Sequence, residues 1–152
     1  IYGGGAVYLG WLMGASGTGA LLGSLWLASR KTSAKLILLS CKTAILFSAA
    51  IILFSQQKNI WMALPTLALA GFFLTITFAG TNTILQHHAP DHLRGRMMSM
   101  YTIAFMGFTP FGSLIGGILA HFLGAPYAMA LCGICCFILC VFIFLKVKKL
   151  IP

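Results

Sequence analysis

The stretch LILLSCKTAILFSAAIILFS, residues 36–55, decides the fold: it carries one charge, Lys42, and shows no apolar/polar alternation. A bilayer's hydrocarbon core is crossed by a helix of about 20 predominantly apolar residues. Four further runs of similar character surround it: Ala6 to Ser29, Ile60 to Leu85, Met97 to Leu123 and Pro126 to Leu145. Without water in the hydrocarbon, only helices or a closed barrel satisfy their own backbone hydrogen bonds. Barrel strands are about half this length and alternate in polarity. The expected fold is therefore all-α and polytopic, with five transmembrane helices.

Charge supports a membrane chain and suggests how it is threaded. Asp91 is the single acidic residue among 152, 60% of them hydrophobic, and the net charge is +9. Arg30, Lys31 and Lys35 occupy the first gap, Lys58 the second, Arg94 and Arg96 the third, and Lys146, Lys148 and Lys149 the end; the fourth gap has none. Basic-rich and basic-poor flanks alternate, so the positive-inside rule puts the amino end outside and the carboxyl end in the cytoplasm. The net charge reads as a topology signal helped by anionic membrane lipid. Nucleic acid is not an expected partner, because no soluble segment combines basic residues with interleaved aromatics.

Small residues mark candidate helix-packing faces. Gly10/Gly14 and Gly19/Gly23 form two small-xxx-small pairs in the first run, and such pairs let helix backbones approach closely in lipid. The fourth run carries Gly107, Pro110, Gly112, Gly116 and Gly117, and Pro110 removes a backbone donor there. Their presence in both runs suggests an internal repeat, a pointer to transporter architecture.

In the third run Thr75, Asn82 and Gln86 are spaced by seven and four, which puts them on one helical face. Polar amides in a span line a cavity or clamp neighbouring helices by hydrogen bonds. The sequence leaves both readings open. Lys42 reads as a snorkelling side chain, and His121 as an interfacial one.

Other chemistry is poorly supported. Gly14-Ala-Ser-Gly-Thr-Gly19 lacks the Lys-Ser/Thr of a phosphate loop, and a single acid excludes a carboxylate pair. His87, His88, Asp91 and His92 are interrupted by Pro90, and Cys132-Gly-Ile-Cys135 lies within a run with no second Cys/His pair, so no metal site or cofactor is expected. The five cysteines read as small hydrophobes. An enzyme is not expected. Asp91 with Arg94 and Arg96 reads as a charge cluster able to bias a two-state equilibrium.

Five segments carry a family likeness: Gly14-Ala-Ser-Gly-Thr-Gly-Ala-Leu-Leu-Gly23 with Leu27-Ala-Ser-Arg30, Gly80-Thr-Asn-Thr-Ile-Leu-Gln86, Ala89-Pro-Asp-His-Leu-Arg-Gly-Arg96, Met98-Ser-Met-Tyr101, and Gly107-Phe-Thr-Pro-Phe-Gly-Ser-Leu-Ile-Gly-Gly117. Together they resemble the carboxyl-terminal half of a major facilitator superfamily transporter, in the bacterial branch that includes the enterobactin exporter. The resemblance implies spans eight to twelve of twelve, a partial carboxyl-terminal six-helix bundle over 1–152, and location in the bacterial inner membrane. It implies alternating access for a small-molecule substrate, with the amino-terminal half of the same transporter as a partner. Asp91, Arg94, Gly95 and Arg96 then form the gating loop, while Ser29 stands where the family's first cytoplasmic loop has an aspartate. An amino end reading Ile-Tyr-Gly-Gly-Gly is expected of the tail of a longer protein. The alternative is a membrane scaffold or assembly subunit that binds partner helices through its glycine faces without moving solute.

Overall fold

Backbone groups that must be paired within their own segment make helices, and the computed structural model, which describes residues 5–29 and 36–150, contains five: α1 (Gly5–Ala28), α2 (Leu36–Ser55), α3 (Ile60–His88), α4 (Arg94–Leu123) and α5 (Ala125–Leu150). No strand occurs among the described residues. Helices α2 to α5 are each long and apolar enough to cross a membrane. Helix α1 has 24 residues, about 36 Å at 1.5 Å per residue, but its glycine, serine and threonine content dilutes its hydropathy and it is not one of those four.

Three helices outrun the apolar segments that announced them. Helix α3 continues to His88 and α5 to Leu150, while α4 begins three residues early, at Arg94. Nothing in these polar extensions breaks a helix, and Met97 N–H bonds Leu93 O at 2.9 Å to close α4's first turn. Pro90 sits in the α3–α4 turn, where its missing donor costs nothing. Helices α4 and α5 are joined through Gly124 alone, at φ 84° and ψ 150°, a conformation that a side chain strongly disfavours.

Spatial order differs from chain order. Helix α3 lies between α1 and α2, α2 also packs on α5, and α4 leans mainly on α5. Among the described residues α1 and α2 do not pack on each other. Contact between α3 and α4 is slight and includes Phe78 against Phe105, edge-to-face at 4.4 Å.

Glycine makes the tightest of these contacts. A Cβ on Gly19 would overlap the carbonyl of Ala68, one on Gly23 would lie 2.7 Å from Phe72 O, and one on Gly71 would overlap the carbonyl of Ser16. Gly19/Ala68 and Gly23/Phe72 advance together along both chains, so α1 and α3 run parallel. Ser40 lies against Gly80 and Thr43 against Thr77, so α2 runs antiparallel to α3. On the other side of α2, Gly133 of α5 approaches Ile52 Cγ1, with 2.8 Å left for a Cβ. The interior is correspondingly small-sided: Ala63, Ala70 and Ser48 are buried, and Ile76 is the largest fully buried side chain.

The charges sort to one end of this bundle. The α3–α4 turn and the carboxyl end of α5 share an end, which collects Arg94, Arg96, Lys146, Lys148 and Lys149; Lys58 is in the α2–α3 connection at the other. Arg30, Lys31 and Lys35 lie outside the described residues.

Packing of this kind distinguishes the glycines. Gly19→Ala is expected to destabilise by about 1–3 kcal/mol, because the new methyl meets backbone. Gly14→Ala, open on that side, should be neutral or stabilising by up to about 1 kcal/mol through helix propensity. Denaturant titration in mixed micelles, followed by circular dichroism, measures both.

Candidate functional site

The polar face of α3 is built from side chains one and two turns apart. Asn82 is half-buried and its Oδ1 accepts a 2.6 Å hydrogen bond from Gln86 Nε2, which leaves the exposed Gln86 amide tied to its own helix. Thr75 is half-buried about two turns before Asn82. Thr81 and Thr83 turn their hydroxyls back onto the carbonyls of Thr77 and Ala79, at 2.8 Å each. Of the three residues expected on this face, the structure joins Asn82 to Gln86.

The interhelical clamp is made elsewhere, by residues the sequence reading did not single out. Thr43 Oγ1 and Thr77 Oγ1 are in hydrogen-bond contact at 2.9 Å across the α2–α3 interface. One turn toward the basic end, Ser40 Oγ is buried beside Gly80 without a hydrogen-bond partner. The available signal was the spacing of Ser40 and Thr43, which with Lys42 between them are the polar residues at the start of an otherwise apolar run. It needed knowledge that α2 faces α3.

The charged turn is compact and exposed. Arg94 Nη2 and Asp91 Oδ1 form an ion pair at 2.8 Å, with Asp91 93% and Arg94 51% exposed. Arg94, Gly95 and Arg96 are helical, in the first turn of α4, and only Asp91 belongs to the turn proper. Cations at a helix amino terminus oppose its dipole, and Asp91 offsets that locally. His87, His88 and His92 are exposed, and His88 Nδ1 lies 2.9 Å from Ile84 O. Among the described residues no group of three or more His, Cys, Asp or Glu is arranged to hold a metal ion. Lys42 is exposed on α2, and exposed His121 packs its ring edge-to-face on Phe122 at 5.4 Å.

Helix α4 presents the other candidate face. It has no buried residue, and a Cβ on Gly107, Gly112, Gly116 or Gly117 would meet nothing within 4 Å. The same holds for Gly10 and Gly14 of α1, whereas Gly19 and Gly23 are closed by α3. Pro110 lies inside the helix; next to it Thr109 Oγ1 donates to Phe105 O at 2.8 Å and Ser113 Oγ to Pro110 O at 2.9 Å. Two apolar cavities flank the bundle. One of about 460 Å³ lies between α2, α4 and α5, and one of about 520 Å³ runs along Gly10 and Gly14 of α1 to Leu64. Neither includes Thr75, Asn82 or Gln86.

Long apolar helices joined by glycine-closed packing make a membrane-spanning bundle. A sequence model of the transmembrane secretion effector family, of the major facilitator superfamily, matches residues 1–151. The chain belongs to this family. No curated protein and no solved structure matches it. Membership makes this transmembrane secretion effector chain a multi-pass membrane protein of an efflux-type transporter family, and its five helices fit part of a major facilitator fold.

Removing the threonine clamp tests the packing around the α3 polar face. Thr43→Val and Thr77→Val are each expected to weaken the bundle, with a coupling of about 0.6 kcal/mol in the double-mutant cycle. Unfolding in micelles of the two single variants and the double variant gives that number, and zero coupling would remove the clamp from the account.

Proposed function

We propose that the chain forms part of a secondary active exporter of small amphipathic molecules, working by alternating access in the bacterial inner membrane. In this reading its helices are spans eight to twelve of an enterobactin-exporter-like carrier, and the amino-terminal half of the transporter supplies the other wall of the pathway. The observation that carries the reading is α4: 30 residues, apolar enough to cross a membrane, without a buried residue and with five glycines open on its surface. A helix of that composition is suited to a close and shifting contact with a second bundle. The superfamily match supplies the transporter context.

The cavity-facing role falls to Thr75, Asn82 and Gln86 on α3. The Thr75 hydroxyl and the Asn82 and Gln86 amides offer donors and acceptors to a polar group on an otherwise apolar substrate. Asp91, Arg94, Gly95 and Arg96 act as the gate at the cytoplasmic side, where the ion pair is made in one state and broken in another. Gathering of basic residues at that end supports a cytoplasmic placement.

Expression of the full-length reading frame in an efflux-deficient strain is expected to lower accumulation of amphipathic dyes, whereas residues 1–152 alone leave it unchanged. In the full-length carrier Asn82→Ala and Gln86→Leu should reduce efflux several-fold at equal expression. Unchanged efflux would remove α3's polar face from the pathway. Absence of dye export from the full-length protein, with the chain still capturing partner helices, would favour the scaffold reading.

Orientation has its own test. A single cysteine placed at Arg94 in an otherwise cysteine-free full-length protein should resist a membrane-impermeant maleimide in intact cells and react after permeabilisation. Labelling in intact cells would invert the topology.

A further inference from the structure

Helix α5 carries Cys132, Cys136 and Cys140 at successive spacings of four, so the three thiols form one stripe. Cys136 Sγ and Cys140 Sγ are 4.0 Å apart. Across the interface with α2, Cys140 lies near Cys41 and near Ser48, which is 1% exposed. Cys136, Cys132 and Met129 line the 460 Å³ apolar cavity between α2, α4 and α5. The transport reading uses none of these groups.

A disulfide does not fit this pair. Residues four apart on a helix hold their Cβ atoms about 5–6 Å apart, and a disulfide needs about 3.5–4.5 Å. One bridging atom does fit. Two bonds of about 2.3 Å, the length of a zinc–thiolate bond, reach across 4.0 Å with length to spare, and the narrower angle at a pyramidal trivalent centre is met by a small χ1 rotation that draws the two sulfurs together. The bridging atom must be soft, since sulfur is the donor and no carboxylate lies in any span. The complex must also be neutral, because the surrounding low-dielectric interior penalises net charge.

We propose that Cys136 and Cys140 form a dithiol site for trivalent organoarsenicals, with the organic substituent entering the apolar cavity beside Cys136. The proposal stands independently of the transport reading. For an arsenoxide, the two S–H bonds and the As=O bond break, two As–S bonds form, and both protons leave with the oxygen as water. Arsenic stays trivalent, no electrons are exchanged and the product is uncharged. Chelation converts the second As–S bond into an intramolecular event, so a one-thiol variant should bind roughly 10²-fold or more weakly.

Phenylarsine oxide added to the chain in detergent micelles, with intact-mass readout, tests this. The expected result is one adduct per chain that survives excess monothiol and is removed by a dithiol. Cys136→Ser and Cys140→Ser should each abolish the monothiol-resistant adduct, while Cys132→Ser and Cys135→Ser retain it; circular dichroism checks that every variant keeps its helix content. Survival of the adduct in Cys140→Ser, or its loss in Cys132→Ser, would overturn the assignment, as would a wild-type adduct that monothiol strips.

Discussion

Backbone-to-backbone contact at glycine is the constraint on which the rest of this bundle depends. In lipid, burial of apolar side chains gives helices little preference for one another, so close van der Waals approach has to supply it. Gly19, Gly23 and Gly71 let α1 and α3 meet with no side chain between them, while Gly80 and Gly133 make room for the side chains of Ser40 and Ile52 where α2 packs on α3 and α5. Helix α3 thereby becomes the centre, with α1 parallel and α2 antiparallel to it. The polar face of α3, the Thr43–Thr77 contact and the charged turn at its end all take their positions from that arrangement.

Helix α4 is the counterpart to this closed packing. It has the same kind of residues as α1, yet its glycines remain open and its contacts run mainly to α5. The physical contrast is between a glycine already satisfied by a neighbour's backbone and one still available for close approach. In the proposed carrier the closed seams would keep one bundle rigid and the open helix would be left to meet the second bundle. Gly124, which alone joins α4 to α5, keeps the two helices a hairpin.

Polar groups in the spans divide in a similar way. Most threonine and serine hydroxyls return to carbonyls on their own helix, as at Thr81, Thr83, Thr109 and Ser113. Such bonds satisfy the side chain without committing it to a partner helix. The Thr43–Thr77 pair commits two helices to one register, and the Asn82–Gln86 pair stays on α3. The thiols of α5 form a third kind of group, with soft donors at a spacing too wide for a disulfide and suited to a shared ligand.

The sequence by itself determined that the chain is helical and membrane-bound, because hydrocarbon admits no unpaired backbone and leaves a run such as Leu36–Ser55 no other form. It also determined that Pro90 falls between spans and that Asn82 and Gln86 share a face, since helical periodicity is a local property; that the helices continue into the charged flanks, taking in Arg94, Arg96, Lys146, Lys148 and Lys149, was decided by the structure. Only the tertiary structure decided that α3 separates α1 from α2, that Gly19 is closed while Gly14 is open, and that the interhelical hydroxyl pair is Thr43 with Thr77. Those facts depend on which faces meet. With apolar residues all round each helix, no amphipathic stripe announces the buried side, so the choice is made by the fit of small residues against a neighbour's backbone.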